Sequence, residues 1–435
     1  MPKKLIALFS VLLLAAVFIS GCGKEDVKAD KKTEAAEKED QTKNEDQTKE
    51  KEQETEKEAA AEEDASADTE KENTATNDVS GLISFMEEQT EGTTKTVFEN
   101  SDKQTHDLKD ISVSLDAYTV VQLNDFHTDF SIPFNDQTDG GVILAKYSVE
   151  NKGDKDAYYM PSLDGTFTGA TKAYTNYKEL IPEEDQLSTV LSPANDYVVK
   201  AGETAEGYFA YPFGKDAFDK IMDLGTIQVD VPPAQGTKGK FDNPIGSKGK
   251  FTISLNDKGA EKASANAKFY QDDATKNDMG EKKLLKEKSD IGKKEKLRDV
   301  TVTLDGYQFA EFTPNEVEAP RFKNFKNGVV ILTVKFLLDN KGKEDIGLSG
   351  ISSTLRVNDG SQWMINEGML KMYTINDLIE ANDSGELLQV YVLDKEQYDK
   401  IWKDKDFDIE IGPMRNKEAK DISKGKKASF KLPNE

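Results

Sequence analysis

A stretch of this chain returns 189 residues later, and that duplication limits the possible folds more than any other feature. Leu108-Lys109-Asp110-Ile111-Ser112-Val113-Ser114-Leu115-Asp116-Ala117-Tyr118 recurs as Leu297-Arg298-Asp299-Val300-Thr301-Val302-Thr303-Leu304-Asp305-Gly306-Tyr307, with six of 11 positions identical. The same 189-residue offset aligns residues 142–156 with 331–345, including Asn151-Lys152-Gly153 against Asn340-Lys341-Gly342. Further along the offset is 180, where Asp219-Lys220-Ile221 meets Asp399-Lys400-Ile401, and then 176, where Ser247-Lys248-Gly249 meets Ser423-Lys424-Gly425. The second copy has therefore lost nine residues in a loop between about 157 and 205. Two copies of about 150 residues are a duplicated domain, since a solenoid needs three or more short units. Whatever one copy folds into, the other folds into as well.

The matched blocks read as strands. Ile111, Val113, Leu115 and Ala117 alternate with Ser112, Ser114 and Asp116, and Val300, Val302 and Leu304 repeat the pattern. A period of two gives a strand one buried and one wet face. Ala145, Tyr147 and Val149 form a second strand, mirrored by Val334, Phe336 and Leu338, with Lys146 and Lys335 turned the other way. Both end in Asn-Lys-Gly, a turn signal in which Gly would supply positive φ. Ile227, Val229 and Val231 make another strand, matched by Phe407, Ile409 and Ile411. Helix is scarce. Residues 82–88 predict a short helix ahead of the first copy. Residues 215–222 predict another with Phe218 and Ile221 on one face, repeated by Tyr398 and Ile401. Trp402 aligns with Met222 and is expected in the core. Many short strands with polar turns indicate a mainly β fold of two tandem β-sandwiches.

The chain ahead of the repeats differs in kind. Lys3 and Lys4 precede an apolar run from Leu5 to Ile19, followed by Ser20-Gly21-Cys22. A basic start, an apolar middle too short for a lasting membrane span and a small-residue end make a secretory signal. The only cysteine, directly after the small residues, resembles the lipobox of bacterial lipoproteins. That resemblance implies cleavage before Cys22 and a diacylglyceryl group on its sulfur. From Lys24 to Asp78 there are 21 Asp and Glu against 10 Lys, nearly half the net charge of −24, and no aromatic residue. Such a tract cannot bury enough apolar surface to offset the entropy of ordering, so it is expected to be a disordered spacer. The expected domains are a signal segment at 1–21, the spacer at 22–80, sandwiches at 81–256 and 284–435, and a linker at 257–283.

The strand ending in Asn-x-Gly, together with Lys200-Ala201-Gly202-Glu203-Thr204-Ala205-Glu206-Gly207-Tyr208-Phe209, resembles secreted Gram-positive domains of unknown function with a telokin-like, immunoglobulin-type sandwich. The resemblance covers residues 95–256 and 284–433 and extends to bacillus-type lipoproteins with two such domains behind a lipobox. The second copy departs from it, with Asn382-Asp383-Ser384-Gly385-Glu386 where the first has residues 200–206. The resemblance implies no catalytic residues.

Residues that could carry chemistry are few. With Cys22 acylated, no thiol remains for catalysis, disulfides or zinc. His106 and His127 are the only histidines, neither recurs in the second copy, and both read as ordinary exposed residues. No nucleophile elbow, phosphate loop or dinucleotide fingerprint is present, so no cofactor is expected. Acidic composition excludes a nucleic-acid binder, which needs concentrated Lys and Arg. Lys282 to Lys296 is locally basic and reads as a solvated linker face. Asn135 to Gly140, with Asp136 and Asp139, and Glu150 to Asp156 offer oxygens to calcium but lack the ordered spacing of an EF-hand loop. Solvated turns are the plainer reading, and no metal site is assigned.

A partner surface is placed in the long loops after the first repeated strand, at Phe126, Phe130 and Phe134 and at Phe309, Phe312, Phe322 and Phe325. The alternative, and the favoured one, is that these rings pack onto the sandwich as a lid, which avoids an exposed apolar patch. Tyr174, Tyr177 and residues 363–373 are secondary candidates. The sequence thus reads as a monomeric, non-enzymatic surface lipoprotein, held to the cell membrane on its extracellular face through the lipid on Cys22. It would bind a protein, a cell-wall component or a ligand. The alternatives are a cell-wall hydrolase with carboxylates in an inter-domain cleft, and a solute or metal-ion capture protein.

Overall fold

A computed structural model describes residues 79–240, 243–366 and 368–433. The signal segment, Cys22 and nearly all of the expected spacer lie outside them. The first repeat opens with helix α1 (Val79–Thr90), whose Leu82, Met86 and Thr90 are buried. Spacing by four stacks them on one face. Strands β1 (Thr93–Asn100), β2 (Gln104–Leu108), β3 (Ile111–Asn124), β4 (Gly140–Asn151) and β5 (Thr204–Gly214) follow. Helix α2 (Lys215–Leu224) then leads to β6 (Thr226–Val231) and β7 (Gly249–Ser254). One antiparallel sheet has the order β1-β3-β4-β5, with β2 also paired to β3. The opposing layer is built on the β6–β7 pair. Val113, Tyr147 and Tyr211 of one layer pack with Val229, Phe251 and Ile253 of the other in a single core.

The second repeat has the same plan. Helices α3 (Asp257–Asn266) and α4 (Asp273–Lys276) precede β8 (Gly280–Lys288), β9 (Lys293–Leu297), β10 (Val300–Pro314) and β11 (Val329–Asn340). Strands β12 (Ser353–Val357), β13 (Gln362–Ile365), β14 (Ser384–Asp394), β15 (Phe407–Ile411) and β16 (Ala428–Leu432) complete it. The sheets run β8-β10-β11-β14, with β9 on β10, and β13-β12-β15-β16. They enclose a second core that includes Val302, Phe336, Tyr391, Leu355, Ile409 and Phe430. The chain is thus two tandem β-sandwiches. Residues 257–283, read from sequence as a linker, hold α3, α4 and the start of β8, which is the counterpart of β1.

The repeats share a bulge. The ladder register shifts between Leu115 and Ala117 and, 189 residues on, between Leu304 and Gly306. One extra residue reverses the in–out alternation, so Tyr118 rather than Ala117 enters the first core. Beyond the bulge β3 and β10 continue to Asn124 and Pro314, through segments expected as loop. The wet face of β3 is also corrected: Ser112 and Ser114 are buried. In the second repeat Tyr398 to Trp402 winds as a π-helical turn, which buries Tyr398 and Trp402 and leaves Ile401 43% exposed. The expected Tyr398–Ile401 face is therefore replaced by Tyr398–Trp402.

The Asn-Lys-Gly turns act through asparagine. Asn151 Nδ2 donates to the carbonyls of Lys155 (2.8 Å) and Val199 (2.9 Å), and its Oδ1 accepts from the Gly153 N–H (3.0 Å). Asn340 does the same with Glu344 (2.9 Å), Glu380 (3.0 Å) and Gly342 (3.0 Å). Both asparagines are buried. Positive φ is found not at these glycines but at Lys109 (62°) and Arg298 (60°) in the preceding hairpins. The second copy's departure at 382 keeps the geometry: Asn382 has φ 67° where Gly202 has 75°, a conformation asparagine tolerates. Asn340→Ala strands buried carbonyls, so urea unfolding should show a loss of about 2–4 kcal/mol. A change under about 0.5 kcal/mol, the size of an ordinary surface substitution, would show that the Asn340 side chain does not hold this turn.

Candidate functional site

The repeats meet around Asp278, in the turn between α4 and β8. Its carboxylate accepts from Thr226 Oγ1 (3.0 Å) in the first repeat and from Lys262 Nζ (2.7 Å) on α3. Its backbone carbonyl accepts from Thr168 Oγ1 (3.3 Å) in the first repeat and Asn315 Nδ2 (2.9 Å) in the second. Its backbone has φ 49°, an αL conformation that Asp tolerates. Six residues earlier, Asp272 is fully buried against the second sheet. Lys282 Nζ reaches its Oδ2 at 2.5 Å, Thr333 Oγ1 donates to the same oxygen (2.6 Å), and the Thr275 N–H donates to Oδ1 (3.1 Å). Burial holds Lys282 below its ordinary pKa, although Asp272 acts in the opposite direction. The basic stretch read as a solvated face therefore begins with a buried ion pair.

Hollows flank this pivot. One of about 610 Å³ lies between β2, β7 and α3, with Gln104, His106, Gln228, Asn266 and Lys276 on its walls. A second, of about 640 Å³, has Asp164, Asp230, Pro232 and Pro233 on one side and Lys371, Met372 and Asp377 on the other. A smaller one of about 200 Å³ runs between Thr168 and Asn315. Lys276 faces both large hollows, and Lys250 lines all of these spaces. The two larger volumes fall in the roughly 300–1,000 Å³ range of small-molecule sites.

The charged groups here are unequal. Asp230 is paired with Lys250 (2.5 Å). Asp273 accepts the Met372 N–H (3.2 Å), and Asp377 accepts the Thr374 N–H (2.6 Å) and hydroxyl (2.9 Å). Among the described residues, the Lys276 ammonium and the Asp164 carboxylate have no hydrogen bond or ion pair. Burial, then the Lys371 ammonium, lowers the Lys276 pKa. Burial, with Asp230 adding to it, raises that of Asp164. The arrangement can hold a ligand by its charges. Among the described residues no group of three or more His, Cys, Asp or Glu side chains is placed to hold a metal.

Most residues singled out from sequence fall elsewhere; the exceptions are His106 and, in the 363–373 stretch, Lys371 and Met372, which line the second hollow. His106 lies on β2 at the first hollow. Its Nε2 donates to the Ser247 carbonyl (2.8 Å), and its ring packs so tightly on Gly249 that a Cβ there would come within 2.5 Å. His127 is outside the hollows, its Nδ1 accepting the Asp129 N–H (3.3 Å) to cap a 3-10 turn. Asn135 Oδ1 accepts from Lys172 (2.5 Å) and Asp139 Oδ1 from the Asp125 N–H (3.1 Å), so the proposed calcium loop spends these oxygens on the protein itself.

The expected partner surface is corrected. Phe126 and Phe134 are buried with ring centroids 4.5 Å apart, and Phe130 is half-buried beside them, all packed with Leu82 and Met86 on the outer face of the first sheet. Phe309 sits on β10 inside the sandwich, 5.1 Å from Phe407. Phe312 and Phe322 pack 5.2 Å apart with half-buried Phe325 on the outer face of the second sheet. Those outer faces are apolar and need cover, which the rings supply. Tyr174 stacks on Phe213 at 4.3 Å, Tyr177 is half-buried, and Trp363 is exposed. Asp164 and Lys276 escaped sequence reading because each is an isolated charge whose meaning comes from residues distant in the chain.

One family model, described as Domain of unknown function (DUF5068), matches residues 69–256 and again residues 259–435. The chain is similar to a functionally unknown protein from Listeria monocytogenes EGD-e at 18% identity, over 40% of this chain and 93% of that one, with a TM-score of 0.33. It is also similar to an uncharacterized β-sandwich protein from Clostridium difficile 630, at 15% identity, 35% and 100% coverage and a TM-score of 0.23. The yjhA protein from Bacillus subtilis matches at 11% identity, 35% and 97% coverage and a TM-score of 0.24. No curated protein matches the chain.

Two measurements test this site's energetics. Lys282→Met leaves Asp272 buried without its cation, so chemical unfolding should show a loss of about 3–5 kcal/mol, largely recovered when Asp272→Leu is added. Equal losses in the single and double variants would contradict the pairing. Lys276 has a lowered folded-state pKa, so its charge destabilises the native state below that value, and the penalty fades as pH rises through it toward the unfolded value. Lys276→Gln should therefore raise the melting temperature at neutral pH, with the gain shrinking in alkali. A gain that grows in alkali would reverse this reading.

Proposed function

The chain belongs to the family of the Domain of unknown function (DUF5068), matched by both repeats, and on that premise we propose that it is a membrane-anchored extracellular binding protein without catalytic activity. Cys22, acylated on its sulfur, is the anchor. Two acyl chains hold a protein stably where one holds it marginally, at about 0.8 kcal/mol per buried methylene. Residues 24–78, which lie outside the described residues, are the spacer between the anchor and the repeats. Behind it stand two immunoglobulin-type sandwiches. The observation that carries the binding reading is the hollow at their seam. Its walls come from both repeats, so neither makes it alone, and it contains ionic groups that the protein does not itself satisfy.

A specific observation favours a second reading, hydrolysis of a wall polymer. Asp164, its pKa raised by burial and by the neighbouring Asp230, makes a carboxyl pair with it, and two carboxyl groups flanking a sugar suit acid–base cleavage of a glycoside. Against it, Asp230 is already tied to Lys250. Wall turnover lost in Asp164→Asn but kept in wild type would establish the hydrolase and displace the binding reading.

The binding reading is tested on living cells. Cys22→Ser should abolish partition into detergent, and unchanged partition would refute lipidation there. Ser264→Trp and Asn376→Trp place bulk into the two large hollows from exposed positions. Together they should abolish the cross-links that wild type makes to a cell-surface partner. Identical cross-links from the folded double variant would move binding away from the seam.

A further inference from the structure

The larger hollow identifies its own ligand class by the charges it leaves unsatisfied. We infer that it takes a zwitterion, an amino acid or short peptide with a free ammonium and a free carboxylate, the carboxylate on Lys276 and the ammonium on Asp164. This deepens the binding function proposed above and rests on it.

Both unpartnered ions face this one space, from different parts of the fold. Asp164 belongs to the first repeat and Lys276 to the inter-repeat segment, in α4. The other acids around Lys276 do not neutralise it. Asp273 and Asp377 are committed to backbone N–H groups, and Glu386 is bound to Lys335 at 3.1 Å. Lys371 stands nearby with its ammonium 4.9 Å over the Tyr373 ring, and it adds positive charge. On the opposite wall Asp230 has Lys250, whereas the Asp164 carboxylate has no hydrogen bond or ion pair among the described residues.

Half-buried ions without partners are unfavourable, and each becomes favourable once an opposite charge arrives. A plain dianion would satisfy Lys276 and be repelled by Asp164; a dication would do the reverse. Only a ligand carrying both signs serves both walls. Pro232, Pro233, Pro244 and the 74% exposed Met372 line the same hollow and offer an apolar surface to the uncharged middle of such a molecule.

The test is calorimetric titration of the intact chain with the oligoglycine series from glycine to pentaglycine. The same lengths are titrated with an acetylated amino end or an amidated carboxyl end. At least one free oligomer should bind, and either cap should weaken it roughly tenfold or more, the worth of one charge-assisted contact. Lys276→Gln should weaken the free peptide but not its amide. Asp164→Asn should weaken the free peptide but not its acetylated form. Equal binding of free and acetylated peptides, or no binding by any member in the millimolar range, overturns the zwitterion assignment. In the second case the seam remains a binding surface if Ser264→Trp with Asn376→Trp still abolishes the cellular cross-links. If those persist as well, the parent reading has failed with it.

Discussion

Asp278 is the point on which the architecture turns. One residue accepts hydrogen bonds from the first repeat through Thr168 and Thr226, from the connecting helix through Lys262, and from the second repeat through Asn315. The helix it engages is itself seated closely. A Cβ at Gly259 would come within 1.8 Å of the Gly225 carbonyl, so α3 lies directly against the αL residue that ends α2. Asn256 caps the start of α3, accepting the Gly259 N–H, and donates back to the Met222 carbonyl. What the sequence presents as a connection is thus a strut fastened at both ends. The hollows exist because the strut holds the two sandwiches at a fixed separation.

The copies solved one shared problem differently. Each large sheet has an outer apolar face that a sandwich core does not cover. In the first repeat α1 and the Phe126–Phe134 pair pack on it in an apolar cluster with Leu144 of the sheet itself. In the second, position 333 is threonine, and above it lies the Asp272–Lys282 pair. Replacing packing by a desolvated ion pair brings little net stability, because desolvation offsets the attraction. It fixes geometry instead: the carboxylate accepts bonds from α4, β8 and β11 at once, and so sets where α4 begins.

Much of the sandwich was legible in the sequence because a strand with one buried face reveals itself by a period of two. Ala145, Tyr147 and Val149, and Val334, Phe336 and Leu338, are in their cores as that period requires. The reading failed where period and structure part company. The bulge at Asp116 and Asp305 breaks the alternation, so the second halves of β3 and β10 looked like loop, and Phe309 and Phe312 looked like loop aromatics. The π-helical turn moved a buried position from Ile401 to Trp402. Lys282 was misread because charge in sequence says nothing of a partner ten residues away in a fold that buries both. An inter-domain cleft was foreseeable from the duplication, but most of its lining was out of reach, since its members are drawn from segments more than 200 residues apart.

The shared pivot has an evolutionary side. A gene duplication first yields two interchangeable copies, but these two have become lock and key: threonines at 168 and 226 belong to one, and the asparagine at 315 to the other. Swapping or deleting either copy would discard half of a joint that no single module has reason to keep. A change at any of these positions in one copy leaves polar groups of the other without their partner.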